Sequence, residues 1–441
     1  MAQLMRDGYW TPVVAGALAV LLLAATLAWH VPMMLWDHLD LVPMYDAWQQ
    51  GDLWASEIAR VHDGSHLHVA AYLVLLATTW LSGGQPWLDC LVNWCLLVVY
   101  ALLMLRLMAR HLPDGAPTWL RLAMLGLVLY PGHLANLQWG WQVAVFLCLF
   151  GIAVAVLMLA GRSLSWRGNL LAVAATALAG LSFTTGLALI PMALCLLLLR
   201  PELSRGQLAG LALPWCVLGA GFVWLLVPAS MGVSGNSGTT LAPGLLLSYA
   251  LNFIGGGIAR FATGAAPVLS LLAIASGAWF VLRLPRDPRR LGWIGLMVFA
   301  MGAGLLTAFG RAAVFGADHA FVTRYVSFSS LFWIGWLGLM LLALPGLSRT
   351  WRRVVLGLAG LFVACALFNA VHMVKKAGEV AARADATAAL IRSQYPQVDE
   401  AVLGEIYFGR VELAGQRLQR LHALGFAPFR SAPAGAAQES R

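Results

Sequence analysis

An all-α, polytopic membrane fold is what this sequence predicts, on three observations. The 441 residues are 61% hydrophobic and 11% charged, with a mean hydropathy of +0.79, whereas soluble domains carry about a quarter charged residues. Apolar residues fall in runs close to the ~20 that cross roughly 30 Å of hydrocarbon. Arginines collect in the short breaks between runs, where the bias of cytoplasmic loops toward positive charge puts them.

The net charge of +9 is therefore a feature of topology and excludes nucleic acid as the expected partner. The six cysteines (Cys90, Cys95, Cys148, Cys195, Cys216 and Cys365) lie inside apolar runs. They read as small buried side chains, with neither a disulfide framework nor a zinc site implied.

The first run, residues 11–29, follows Arg6 and is longer than a signal-peptide core, so it reads as a retained first helix. Further spans are expected at 87–109, 119–131, 139–160, 168–183, 184–200, 207–228, 266–284, 291–310, 324–345 and 354–373. Placing the basic loops around Arg106, Arg162, Arg200, Arg286 and Arg352 on the cytoplasmic side requires that 66–82 and 245–262 do not cross. These two are expected as interfacial or re-entrant helices, giving about 11 transmembrane helices in all. The membrane part spans 1–373, with a first outer loop at 30–68. Residues 374–441 form an outer tail, amphipathic at 377–393 and 410–424, with a disordered Ala/Pro/Gly/Ser end.

On this topology six polar segments meet at the outer face. The first loop holds Asp37, Asp40, Asp46, Asp52, Glu57 and Asp63 against the single Arg60. Asp37 and Asp40, just after the first span, are candidates for a general base, since a carboxylate there can take a proton from an acceptor hydroxyl or bind a divalent ion such as Mg or Mn. A helix cap with solvated charge is the plainer reading. His38, His62 and His66 are candidate substrate contacts; His62, His66 and His68 could also ligate a metal, although interfacial histidines more often form hydrogen bonds. No metal or other cofactor is firmly implied.

Arg311 and Arg324 flank an outer loop, against the usual inside bias. A guanidinium forks onto phosphate oxygens, so a lipid-linked phosphate is a fitting guest; snorkelling or a pair with Asp318 is the alternative. Arg260, beside the Gly255–Gly257 run, is a weaker third candidate, and close helix packing is the plainer role for the glycines. Gln138, Trp139 and Tyr325 offer amide and ring surfaces suited to a sugar. Residues 182–186 read as a tight turn.

With these residues in view, the chain resembles the GT-C class of glycosyltransferases, which take sugars from polyprenyl-phosphate carriers at the outer leaflet. The resemblance is carried by Trp36-Asp37-His38-Leu39-Asp40, by His62-Asp63-Gly64-Ser65-His66, by Gln138-Trp139-Gly140-Trp141-Gln142, and by Gly310-Arg311 through Thr323-Arg324-Tyr325. More distantly it resembles protein O-mannosyltransferases, lipid A aminoarabinose transferases and arabinofuranosyltransferases. The resemblance implies Asp37 as catalytic base or metal-binding residue and Arg311 and Arg324 as holders of the carrier phosphate. It also implies a polyprenyl-phosphate sugar donor, and a periplasmic acceptor that is a surface glycan, lipid A or a protein hydroxyl such as a pilin's. The implied location is a bacterial inner membrane, with the site facing the periplasm. A flippase for a lipid-linked sugar, with polar residues at mid-membrane and paired broken helices, and a non-catalytic assembly protein are the rival readings.

Overall fold

The computed structural model describes residues 2–62, 66–233 and 242–430. After α1 (Ala2–Ala28), the first loop carries α2 (Leu41–Gln50), the short α3 (Ala55–Ile58) and a hairpin of β1 (Val61–His62) with β2 (His66–Leu67). There follow α4 (Val69–Ser82), α5 (Trp87–His111), α6 (Thr118–Val128), α7 (Leu134–Leu137), α8 (Val143–Leu159), α9 (Trp166–Gly180) and α10 (Leu189–Leu198). The second half holds α11 (Arg205–Val233), α12 (Pro243–Ala259), α13 (Ala266–Arg283), α14 (Leu291–Phe315), α15 (Val326–Ala343), α16 (Arg349–Gln394), α17 (Glu400–Ile406) and α18 (Val411–Leu424). The fold is all-α, as the composition predicts.

Among the described residues, eight helices are long and apolar enough to cross a membrane: α1, α5, α8, α11, α13, α14, α15 and α16. This does not match the expected eleven. The runs at 119–131, 168–183 and 184–200 fold as α6, α9 and α10, with 11, 15 and 10 residues. At 1.5 Å per residue they reach about 15–23 Å, short of the hydrocarbon thickness. The run at 184–200 opens with a 3-10 turn at Thr184–Ala188, which leaves only Leu189–Leu198 as α-helix.

The two segments set apart in the sequence are also short. Helix α4 has 14 residues and α12 has 17, about 21 and 25 Å. The Gly255–Gly257 run does not break α12, whose residues are buried from Tyr249 to Ala259. Its glycines admit neighbours instead: a Cβ on Gly255 would lie 2.3 Å from the Ala266 carbonyl oxygen, and one on Gly257 would lie 3.0 Å from the Trp333 ring.

Helix α15 is the centre of the bundle, buried over 94% of its most apolar stretch, with α6, α12, α13 and α14 around it. Helix α8 packs against α5 and α9. The outer surface is apolar where lipid would lie: Trp224 on α11 is 76% exposed and Leu282 on α13 is 84% exposed.

Helix α16 continues through the expected boundary at 373 as one helix of 46 residues. After it, α17 and α18 fold back onto the first loop. Tyr407 bonds Asp40, Arg420 bonds Asp46, and the Trp36 indole donates to the Glu405 carbonyl at 3.2 Å. Phe426 meets Tyr45 edge-on at 5.1 Å, and Arg430 donates to the Ser82 carbonyl at 2.8 Å. The expected disordered end lies outside the described residues.

Candidate functional site

The first loop turns back over the bundle through a 3-10 turn, Trp36–Asp40. Trp36 has φ 55°, a left-handed conformation for a bulky residue, which costs about 1–3 kcal/mol and persists only where surroundings enforce it. Here the surroundings are visible. The Val31 amide donates to the Gln138 carbonyl at 2.7 Å, the Trp36 ring stands edge-on to Trp139 at 5.2 Å, and Glu405 holds its indole.

The turn splays its side chains. Asp37 projects into a cavity of about 1070 Å³, while His38 points inward, fully buried, 3.7 Å from Asp89. The hairpin register pairs His62 with His66, so alternate residues bring His62, His66 and His68 to the same cavity. His62 stands 3.9 Å from Asp37 and 3.7 Å from Asp40.

Arg311, near the end of α14, donates to His66 Nε2 at 3.3 Å. A guanidinium only donates, so His66 carries its proton on Nδ1 and gives it to Thr184 Oγ1 at 3.2 Å. Burial, with the charges of His68, Arg311, Arg324 and His62 behind it, holds the His66 pKa well below its usual value and keeps that ring neutral. His68 donates through Nδ1 to the Ser182 carbonyl at 2.7 Å and is pushed down to about 4, chiefly by burial and then by His62. Burial alone would raise the Asp37 pKa. The approach and charge of His62, with Arg324 and His68 adding to it, outweigh burial and hold Asp37 below the ordinary carboxylate value.

The Arg324 side of the cavity is set by amides. Asn136 donates to the Arg324 carbonyl at 3.1 Å and to Ser327 Oγ at 2.8 Å, and Asn93 steadies the Asn136 and Trp139 carbonyls at 3.4 and 3.2 Å. From the other side, Asn252 donates to the Ala317 carbonyl at 3.3 Å, and Arg260 donates to the Phe321 carbonyl.

The cavity thus has two unlike walls. One carries Asp37, the three histidines, Arg311, Arg324 and Tyr325; the other is apolar, from Leu187, Ile190, Phe222, Val223, Leu226, Leu306 and Phe309. Val223 and Phe309 are also 61% and 58% exposed, so the apolar wall is continuous with the outer girdle.

Of the residues singled out in the sequence, Asp37, His62, His66, Arg311, Arg324 and Tyr325 line this cavity. Gln138, Trp139 and Arg260 line a smaller one, of about 200 Å³, which shares Arg324. Asp40 lines neither and is held by Tyr407. His38, expected to touch substrate, also lines neither: the residue after Asp37 in a tight turn faces the core, where burial pushes its pKa down to about 3. Phe183, Thr184 and Thr185, read as part of a plain turn, line the large cavity, as do His319, Phe408 and Arg410.

Asp37, Asp40 and His62 offer ligand atoms all within 4.8 Å of one another. Two carboxylates and an imidazole suit a divalent cation such as Mn or Zn, though Asp40 already accepts from Tyr407. These three are the residues that could hold one. The arrangement can thus set an ionised carboxylate and two guanidinium groups around one polar pocket that adjoins an apolar trough.

In comparison with known proteins, no family profile, no curated protein and no solved structure matches this chain.

Proposed function

We propose that this protein transfers a sugar from a polyprenyl-phosphate carrier to a hydroxyl acceptor, with the large cavity as the donor site. The observation that carries the reading is the pairing of walls: a carboxylate and two guanidinium groups at one end, and an apolar trough open to the lipid-facing surface at the other. A molecule fitting both is an amphiphile with a long apolar tail and an anionic, hydroxyl-rich head. The tail would lie along α10, α11 and α14, while Arg311 and Arg324 fork onto the phosphate.

In the proposed reaction the acceptor oxygen attacks the anomeric carbon in an inverting-type displacement. The bond from that carbon to the phosphate oxygen breaks, the polyprenyl phosphate leaves with the bonding pair, and the acceptor proton passes to Asp37. Positioning and charge stabilisation of the leaving phosphate would supply most of the rate. Asp37, with its lowered pKa, is ionised at neutral pH and ready to accept. The setting consistent with this chemistry is a bacterial inner membrane with the site on the periplasmic side, and the acceptor is a glycan, lipid or protein hydroxyl.

The test follows label from polyprenyl-phosphate pentose and hexose pools to endogenous acceptors, in membranes holding matched amounts of folded wild-type or Asp37→Asn protein. Loss of the base is expected to slow transfer about 10²–10⁴-fold. Transfer at the wild-type rate by Asp37→Asn would remove Asp37 from the chemistry, and no transfer by wild type from any donor would end the reading.

A further inference from the structure

The smaller cavity has a composition of its own. Its polar and aromatic lining includes Trp36, Gln138, Trp139, Arg260, Arg324 and Lys376. Three of these are cations, and among the described residues the ion pairs include neither Arg260 nor Arg324. Lys376 reaches Glu379 at 3.4 Å, with both side chains about half exposed. Four residues that line the cavity carry a buried polar atom without a partner among the described residues: Asn136 Oδ1, Gln138 Oε1, Trp139 Nε1 and Arg324 Nε. Gln138 is 3% and Trp139 is 9% exposed. Buried polar atoms are rarely left unmade, and each unsatisfied group signals a missing partner. Here the unmade groups are two donors and two acceptors, so the missing partner both accepts and donates hydrogen bonds.

We propose that this cavity binds a phosphate group carried on a hydroxyl-bearing molecule. Three cations around one small cavity match a phosphate better than a singly charged carboxylate. Arg260 and Arg324 offer planar donors for its oxygens, while Gln138 Oε1 accepts from a neighbouring hydroxyl. The site is distinct from the one lined by Arg311. Arg324 is common to both cavities, and Trp36 of the small cavity directly precedes Asp37 of the large one. Resting on the transfer reading, the small cavity is the acceptor side, and the acceptor is a phosphorylated sugar or lipid whose hydroxyl is presented toward Asp37.

Binding tests the site without requiring transfer. Full-length protein in phosphatidylcholine nanodiscs is titrated with glucose 1-phosphate and with glucose, and in a second arm phosphatidylglycerol is added to the nanodiscs and its retention is measured. Wild type is expected to bind the phosphate and not glucose. Lys376→Gln and Arg260→Gln are each expected to weaken that binding about tenfold or more, the loss of one charge-assisted bond. Lys376 is partly exposed, so its variant folds even if Arg260→Gln, which loses the bond to Phe321, does not. Loss of phosphatidylglycerol retention alone in these variants would support the same site with a lipid headgroup as the source. Equal binding by wild type and Lys376→Gln in both arms, or equal binding of glucose, would overturn the proposal. Asp37→Asn is expected to bind phosphate normally, so failure of the transfer reading and failure of this site give different results.

Discussion

At the scale of single residues, burial keeps three histidines of the first loop neutral, His66 and His68 in the large cavity and His38 beneath it. Burial holds His38 down to about 3 and His68 to about 4, and holds His66 well below the usual value. In an opened outer loop these rings would regain ordinary values near 6.5. The open form then binds more protons than the closed form, so stability falls as pH drops through about 6.5 toward 4, and is unaffected above it. Thermal unfolding in detergent should show a melting temperature that is flat above neutrality and declines below pH 6.5. A flat profile down to pH 4.5 would contradict the buried, neutral assignment. Within the same window the closed form keeps His66 neutral and accepting from Arg311, so His66→Phe should remove that contact at every pH and weaken donor binding about 5–10-fold, on the scale of one hydrogen bond. Asp37, Arg311 and Arg324 could be singled out in the sequence because each charge stands at the end of an apolar run, although a solvated cap or snorkelling explains such a charge as well, and only the fold brings the three to one cavity. His38 was not, because a 3-10 turn sends adjacent side chains in different directions and no periodicity records which.

Elements were legible by kind and less so by extent. Hydropathy located every apolar stretch, and the turn between α9 and α10 was legible at 182–186 from its serine, threonines and glycine. That Phe183, Thr184 and Thr185 line the cavity was not, because a tight turn carries no signal of what it faces. The glycine run of α12 gives a sharper test of what the sequence left open between packing and binding. An alanine at Gly255 would put its Cβ 2.3 Å from the backbone oxygen of Ala266, whereas at Gly256 the nearest atom is a Phe321 ring carbon at 3.5 Å. Replacing glycine by alanine inside a helix favours the helix by about 0.8–1 kcal/mol where there is room, and overpacking costs about 1–3 kcal/mol where there is not. Gly256→Ala should therefore raise the melting temperature or leave it unchanged, and Gly255→Ala should lower it. Because α12 carries Asn252, which steadies Ala317, Gly255→Ala should also loosen the Arg311–Arg324 segment. Both variants behaving alike would mean that close approach of α12 and α13 is not what the glycines provide.

On the scale of the whole molecule, the chain closes on itself: its last helices return to the loop that follows its first. No pattern in the sequence joins Tyr407 to Asp40 across 367 positions, and a tail that follows a membrane bundle reads naturally as an appendage. The contacts argue otherwise. Phe408 and Arg410 line the large cavity, Tyr407 takes up the Asp40 carboxylate, and the Glu405 carbonyl helps hold Trp36 in the left-handed turn that aims Asp37. A chain ending at Gln394 should keep its spanning helices, which bury their apolar faces without the tail, and should lose transfer because Trp36 is no longer held. Arg410 also lies 5.4 Å over the Tyr407 ring, so Arg410→Gln, which removes one cation from the cavity and keeps a hydrogen-bonding group beside Tyr407, should raise KM for the donor about tenfold with little change in kcat, the pattern of a contact made equally in ground and transition states. Steady-state kinetics on protein matched by fluorescence-detected size exclusion would separate the two effects. Wild-type kinetics from the truncated chain would show that the tail is an appendage after all, and that the aim of Asp37 is set within the membrane bundle alone.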